Sequence, residues 1–395
     1  MVHRTDRILD NIPVGALGMI SLPGCEEMGN RVNDYLVKWR KETNHEHKDN
    51  IVFSGYENDT YLINAKVPRF GSGEAKGIIE ESVRGKDLYL MVDVCNYSLT
   101  YSLSGNTNHM SPDDHFQNLK RIIAAVGGKA RRLNVIMPFL YESRQHKRSA
   151  RESLDCALAL QELVRMGVDN IITFDAHDPR VQNAIPLSGF ETVRPTYQFI
   201  KGLLRSFYDL QLDSEHLMAI SPDEGATGRA IYFANVLGID MGMFYKRRDY
   251  TQVVNGRNPI VAHEFLGSSV EGKDVIILDD MISSGDSILD VAKQLKARKA
   301  KRIFAAATFG LFTNGMEKFD EAYEEGLIHG ILTTNLIYQT PELLSRPYYI
   351  NCDMSKYVAL LIDTLNHDGS ISGLLDPFDR IQAAVEAYKK GEPIE

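Results

Sequence analysis

This 395-residue chain has no long hydrophobic run. None of its apolar stretches approaches the roughly 18 consecutive residues needed to span a bilayer, so no membrane partner is expected. The opening Met1-Val-His-Arg-Thr-Asp-Arg7 leads into no apolar signal core, and no secretory leader is expected. Positive charge is in deficit: 44 Lys and Arg against 53 Asp and Glu give a net charge of −9. That balance argues against nucleic acid as a main partner. Cysteine is scarce. Cys25, Cys95, Cys156 and Cys352 are scattered without metal-ligand spacing, as buried thiols of a reducing compartment would be, and a cytoplasmic location is expected. What is present is an ordinary globular composition, 44% hydrophobic and 25% charged, long enough for about two or three domains.

Short apolar runs alternate with helical periodicity along most of the chain. Residues 19–22, 61–67, 87–93, 133–138 and 170–174 read as strands, and residues 26–39, 115–126 and 151–166 as helices. The second half repeats the rhythm, with strands at 217–220, 241–245, 275–278, 302–308 and 328–333, and helices at 196–208 and 227–237. Residues 41–50 are polar and read as a solvated loop. Strands alternating with helices imply parallel sheets covered on both faces. The expected fold class is α/β, with two tandem domains, each a mostly parallel sheet flanked by helices. The expected divisions are an arm at 1–18, domains at 19–190 and 191–375, and a helical tail at 376–395.

One stretch organises the rest: Val275-Ile-Ile-Leu-Asp-Asp-Met-Ile-Ser-Ser-Gly-Asp-Ser-Ile288. An apolar run rich in β-branched residues ends at Asp279 and Asp280, and the turn Ser283, Ser284, Gly285, Asp286, Ser287 follows. Ile288, Val291, Ala292 and Leu295 then fall on one helical face. A small-residue turn opening a helix presents unpaired N–H groups and the positive end of the helix dipole, a seat for phosphate. Two carboxylates at a strand's C-terminal end suit vicinal sugar hydroxyls. Together they describe a ribose 5-phosphate site.

Four other polar clusters sit at expected strand ends. Ser143-Arg-Gln-His-Lys-Arg-Ser-Ala-Arg151 concentrates cations that fit a polyphosphate. Asp175-Ala-His-Asp178 and Ser221-Pro-Asp-Glu-Gly225 bring carboxylates and an imidazole that could position a divalent cation. Lys246-Arg-Arg248 opens a polar segment, 249–258, and three cations on a mobile loop could close over a transferring phosphoryl group.

The 275–288 stretch resembles the loop for phosphoribosyl pyrophosphate (PRPP) shared by type I phosphoribosyltransferases and PRPP synthetases. The order of all these pieces, from about residue 19 to 374, resembles the ribose-phosphate pyrophosphokinase (PRPP synthetase) family. That resemblance implies a Mg²⁺-dependent transfer of diphosphate from ATP to the C1 hydroxyl of ribose 5-phosphate, giving PRPP and AMP. By the family pattern Phe70 stacks on adenine, and Ser72, Gly73 and Glu74 line the nucleotide pocket, with Arg144 and Gln145 also on ATP. His177 and Asp223 help hold the metal. Lys246 and Arg248 act on the transferring group, Lys246 as the catalytic residue. Asp279 and Asp280 face the ribose, and residues 283–287 hold its phosphate. The family also implies a homo-oligomer built from dimers, up to hexamers.

The chain departs from that pattern in places. Ser72 stands where the family usually has an Asp that reads the adenine amino group. Ser283 replaces an Asp, Asp286 replaces a Gly, and the basic loop is about two residues short. A carboxylate at 286 beside a phosphate is repulsive unless it points away or caps the helix. Two other functions share parts of the pattern: a PRPP synthetase-associated regulatory subunit with an altered site, and a phosphoribosyltransferase that uses PRPP. Intact Lys246, Arg248, His177 and Asp223 favour the enzyme.

Overall fold

The structure, a computed structural model, describes residues 12–47, 56–248 and 260–394. Backbone contacts divide the chain into two compact units. The first is Met1–Arg194 with Asn335–Tyr338 and Asp353–Asp376; the second is Pro195–Thr334 with Gln339–Cys352 and Pro377–Glu395.

The first unit begins with β1 (Ala16–Ser21) and α1 (Glu26–His47), followed by the short strands β2 (Ala65–Lys66) and β3 (Ile78–Ile79). Next come β4 (Lys86–Met91), β5 (Thr100–Leu103), β6 (Asn106–His109) and α2 (Pro112–Val126). β7 (Arg132–Ile136), α3 (Asp155–Arg165), β8 (Asn170–Phe174) and β9 (Gly189–Val193) complete it. The order β1-β4-β7-β8-β9 forms a five-stranded sheet, parallel at every pairing. β4, β7 and β8 are buried along most of their length, which is what cover by helices on both faces requires. α2 shows why its boundary falls where it does. Ser111 and Asp114 form a reciprocal capping box, Pro112 opens the helix, and Gly127 closes it at φ 58°. Phe116, Leu119, Ile122, Ile123 and Val126 then face the core with Leu88, Leu90 and Val135.

The second unit carries α4 (Thr196–Ser206), β10 (Leu217–Ser221), α5 (Thr227–Leu237), β11 (Asp240–Arg248) and β12 (Ile260–Leu266). It continues through β13 (Asp274–Ile282), α6 (Asp286–Ala297), β14 (Arg302–Gly310), α7 (Glu317–Glu324), β15 (Gly330–Thr334) and β16 (Tyr349–Cys352). Its sheet runs β12-β11-β10-β13-β14-β15-β16, with β12 the one antiparallel edge strand. After β16 come two longer helices, α8 (Ser355–Asn366) and α9 (Phe378–Lys390), with the single turn Ser372–Leu375 between them. α8 packs against α1 in the first unit. α9 closes the second, burying Ile381 and Val385, while the Tyr388 hydroxyl accepts from the Leu210 N–H at 2.8 Å.

Several expectations need correction. The segment 353–376, expected within the second domain, belongs to the first unit. Asn366 explains this: its side-chain amide donates to the Gly15 carbonyl (3.1 Å) and to Asp87 (2.9 Å), and its own carbonyl accepts from Val14 (2.8 Å). The expected arm therefore ends in a strand that starts at Ala16, with residues 1–11 outside the described ones. The expected loop at 41–50 is helix as far as His47, since no Gly or Pro interrupts it, and 48–50 lie outside the described residues. Only Ala65–Lys66 of the expected strand 61–67 joins a ladder, while Tyr61 and Ile63 bond singly to Met19. Among the described residues no helix is long and apolar enough to cross a membrane.

Candidate active site

In the second unit, β13 does not stop before its acid pair. β10 pairs with it through Ile277, but β14 continues to Ile282, so Asp279 and Asp280 lie inside the strand. The sequence marks the end of the apolar run; the one-sided ladder that extends it has no signature in that run. Asp280 is buried and Asp279 is partly exposed. The Asp280 N–H donates to Asp279 Oδ1 at 2.8 Å, and Arg229 of α5 lies 3.9 Å from Asp280 Oδ2. Burial, then the charge of Asp280, pushes the Asp279 carboxyl well above the usual carboxylate range, and Asp223 adds to the effect. Two adjacent carboxyl groups offer neighbouring hydroxyls several hydrogen-bonding sites.

Asp223 sits just past β10. Its Oδ1 accepts the backbone N–H groups of Gly225 (2.9 Å) and Ala226 (3.3 Å), which fixes the carboxylate at the entry to α5. Ser221 holds the same turn from the other side, its hydroxyl donating to the Asp223 carbonyl at 2.6 Å.

The turn after β13 is built around Gly285, which adopts φ 83°. A Cβ there would also stand 2.3 Å from Phe319 Cζ, so both the backbone conformation and the close approach of α7 require glycine. Ser283 and Ser284 are half-buried; the Ser283 carbonyl accepts from Thr313 (3.0 Å), and Ser284 Oγ accepts the Asp286 N–H (3.4 Å). α6 then buries Ile288, Leu289, Val291, Ala292 and Leu295, its Leu and Ile side chains contributing about 1.5–3 kcal/mol each. That packing holds the first turn in place, where N–H groups have no intrahelical acceptor. Ser287 is exposed on this turn. Asp286 opens α6 and its carboxylate meets Lys318 Nζ at 2.6 Å. That bond, then the one from Ser284, holds the carboxyl below its ordinary value.

Lys246 and Arg248 are corrected in position. They were expected on a loop, yet both lie within β11, where Lys246 pairs with His263 and Arg248 with Ile260. The partner strand β12 supplies the ladder that the apolar run 241–245 does not announce, and the register shifts between Arg247 and Arg248. The polar segment expected at 249–258 lies outside the described residues.

In the first unit, Phe70 to Glu74 form a tight turn. The Phe70 N–H donates to the Glu74 carbonyl (2.7 Å) and the Gly73 N–H to the Phe70 carbonyl (2.9 Å). Gly73 adopts φ 89°, Ser72 Oγ donates to Glu74 (2.9 Å), and the Phe70 ring is 53% exposed. Gln145 is tied down by its side-chain amide, which donates to the Ser153 (2.8 Å) and Lys147 (3.2 Å) carbonyls; Arg144 is exposed beside it. This basic loop meets the end of β8. The His146 and His177 rings are 5.3 Å apart, and His146 Nε2 is 3.5 Å from Asp178. The hydrogen bond from Arg180 first, and the charge of His146 last, hold Asp178 at about 2. His177 itself is exposed. Thus the structure gathers Phe70, Ser72, Gly73 and Glu74 in one turn. It sets Arg144 and Gln145 in the loop that reaches His177, and brings Asp223 into the electrostatic field of Asp279 and Asp280.

No individual role was expected for several neighbours: Arg69, Tyr101, His146, Arg229 and Lys318. Each acts through a contact distant in sequence, Arg69 through Tyr101 and Asp114. The Ser104-Gly105 turn between polar β-formers did carry a hairpin signal around Tyr101.

Comparison with known proteins gives the class and then the family. Residues 17–167 match the N-terminal domain of ribose phosphate pyrophosphokinase, and residues 192–336 match the phosphoribosyl transferase domain. A ribose-phosphate pyrophosphokinase of Vibrio parahaemolyticus is 29% identical over 80% of this chain and 92% of its own length. One of Mycoplasma genitalium is also 29% identical, over 68% of this chain and 74% of its own. The crystal structure of phosphoribosylpyrophosphate synthetase from Mycobacterium smegmatis superposes with a TM-score of 0.71 at 20% identity, covering 89% of this chain and 99% of that one. The fold is therefore that of tandem phosphoribosyltransferase-like domains, and the chain is a transferase built on it. It belongs to the ribose-phosphate pyrophosphokinase family of enzymes.

Proposed function

We propose that this enzyme transfers the β,γ-diphosphate of ATP to the C1 hydroxyl of ribose 5-phosphate, forming PRPP and AMP with Mg²⁺ as cofactor. The observation that carries this reading is the strand–turn–helix of the second unit, where an acid pair adjoins a glycine turn that opens α6. Asp279 and Asp280 hold the ribose hydroxyls, and residues 283–287 hold the 5-phosphate on N–H groups and hydroxyls. The Phe70 ring stacks on adenine, flanked by Ser72, Gly73 and Glu74, while Arg144 and Gln145 bind the polyphosphate. The C1 oxygen attacks the β-phosphorus as the bond to the AMP oxygen breaks. Lys246 and Arg248 stabilise the charge that develops, and most of the rate enhancement comes from positioning and electrostatics.

The donors present fit Mg²⁺. Among the described residues no three His, Cys, Asp or Glu side chains form a ready-made cage. Mg²⁺ ordinarily keeps several waters and uses one or two carboxylates plus substrate phosphates. Asp223 of the second unit and His177 of the first are the residues that would help hold Mg²⁺, which would neutralise polyphosphate charge. The chain's cysteines are free thiols, three of them buried, which supports a reducing, cytoplasmic setting. The same family reading carries a homo-oligomer built from dimers.

The test is AMP release from ATP and Mg²⁺ by the purified chain, with and without ribose 5-phosphate. Ribose-dependent AMP establishes the diphosphokinase. Absence of AMP, with ribose 5-phosphate or nucleotide still bound, overturns it in favour of a regulatory subunit.

A further inference from the structure

The segment between β4 and α2 carries a ribbon with its own design. β5 and β6 pair antiparallel from Thr100↔His109 to Leu103↔Asn106, leaving Ser104 and Gly105 as a two-residue turn. Both adopt positive φ, 50° and 82°, as the tightest hairpin turn demands. Along β5, Thr100 and Ser102 are exposed while Tyr101 and Leu103 are half-buried, so one face of the ribbon packs against something.

That face packs on the Phe70–Gly73–Glu74 turn. The Arg69 guanidinium lies 4.0 Å over the Tyr101 ring. The same group donates to the Gly73 carbonyl at 2.9 Å and to Asp114 Oδ1 at 3.1 Å. Asp114 is also the capping residue that anchors the start of α2. The Ser104 N–H donates to the Gly71 carbonyl at 3.2 Å, and Leu103 Cδ1 stands 2.8 Å from the place a Cβ on Gly73 would take. The turn is thus braced at Gly71, at Gly73 and through Arg69. The Arg69 side chain is only 11% exposed, so its cation lies over the ring where solvent screens it little.

We infer that the β5–β6 ribbon sets the position of the nucleotide turn and that Tyr101 is its positioning residue, so that affinity for the base of ATP depends on a ring that does not touch it. The inference rests on the reading that residues 70–74 take adenine. Tyr101 holds Arg69 flat, Arg69 holds the Gly73 carbonyl, and the short hydrogen bonds of the turn pass that constraint to Phe70. An exposed ring held in one place loses little conformational freedom when a base stacks on it.

The experiment compares wild type with Tyr101→Ala, Tyr101→Phe and Phe70→Ala, reading KM for ATP, KM for ribose 5-phosphate and kcat in the Mg²⁺ assay. Tyr101→Ala is expected to raise KM for ATP roughly five- to thirty-fold, as loss of a desolvated cation–π contact would. KM for ribose 5-phosphate should stay where it is, and Tyr101→Phe, which keeps the ring, should restore wild-type values. Leu103→Ser gives the same pattern by a second route, should Tyr101→Ala fail to fold. An unchanged KM for ATP in Tyr101→Ala and Leu103→Ser, or equal movement of both KM values, overturns the positioning role. If Phe70→Ala itself leaves KM for ATP unchanged, the adenine reading of the turn fails first.

Discussion

Asp286 and Lys318 form a 2.6 Å ion pair between the first residue of α6 and the helix that packs beside it. The pair accounts for a carboxylate in a turn assigned to a phosphate. Lys318 supplies the opposite charge at short range, and Asp286 sits at a helix N-terminus, where a negative charge is favourable. Both side chains are about half exposed, so the pair acts on local charge more than on stability. Lys318→Ala should raise KM for ribose 5-phosphate by roughly two- to five-fold and leave the melting temperature nearly unchanged. Asp286→Gly in the same background should reverse the change. A Lys318→Ala enzyme with wild-type KM would show that the carboxylate does not reach the phosphate.

Lys246 is expected to carry the charge stabilisation. Lys246→Ala should lower kcat by roughly two to three orders of magnitude, the usual loss when one preorganised donor to a transition state is removed. Circular dichroism and thermal melting should match wild type, because the backbone ladder from Lys246 to His263 does not depend on the side chain. Near-normal turnover would remove Lys246 from the catalytic role.

Gly285 offers a steric test. Gly285→Ala forces a Cβ into φ 83° and against Phe319, a cost of about 2–5 kcal/mol from the left-handed backbone and overpacking together. Ribose 5-phosphate binding, followed by calorimetry, should fall more than ATP binding. Equal losses of both would mean that the turn is structural only.

Much of this arrangement is legible in the sequence. The helix at 227–237 and the strand at 170–174 stand at their expected bounds: Gly238 closes the helix at φ 67°, and the strand is a short, largely buried apolar run. The glycine turn that opens α6 is legible too, because small residues follow a β-branched run and precede helical periodicity there. What escaped reading depends on partners remote in sequence. Asp279 and Asp280 are strand residues because β14 continues beside them, and Lys246 is a strand residue because β12 returns to pair with it. Neither ladder leaves a trace in local periodicity. No helix was expected over α8, and its place in the first unit rests on remote partners: Asn366 reaching Gly15 and Asp87, and Asp363 meeting Arg40 of α1.

Asp93 gives a pH dependence of stability. Burial raises its carboxyl from 3.8 to about 7, although the N–H groups of Cys95 (2.8 Å) and Tyr338 (2.7 Å) favour the ionised form. Well below pH 3.8 both folded and unfolded chains keep the proton, and the group costs nothing. As pH rises the unfolded chain ionises first, so the stability from this site is lost progressively and is gone above the folded value of about 7. The full loss is about 4 kcal/mol at most. Urea melts between pH 4.5 and 7.5 should therefore slope less steeply for Asp93→Asn than for wild type. Parallel slopes would place the titration elsewhere.

The segment 353–376 returns to the first unit after the chain has already built most of the second. During synthesis on a ribosome, the N-terminal sheet emerges long before the helix that covers α1, and the Arg40 guanidinium waits for Asp363 and Asn366. The first unit therefore cannot finish folding until almost the whole polypeptide has been made. A chain broken after residue 194 would keep its sheet and the helices on it but leave α1 without α8, its buried Arg40 guanidinium lacking Asp363 and Asn366.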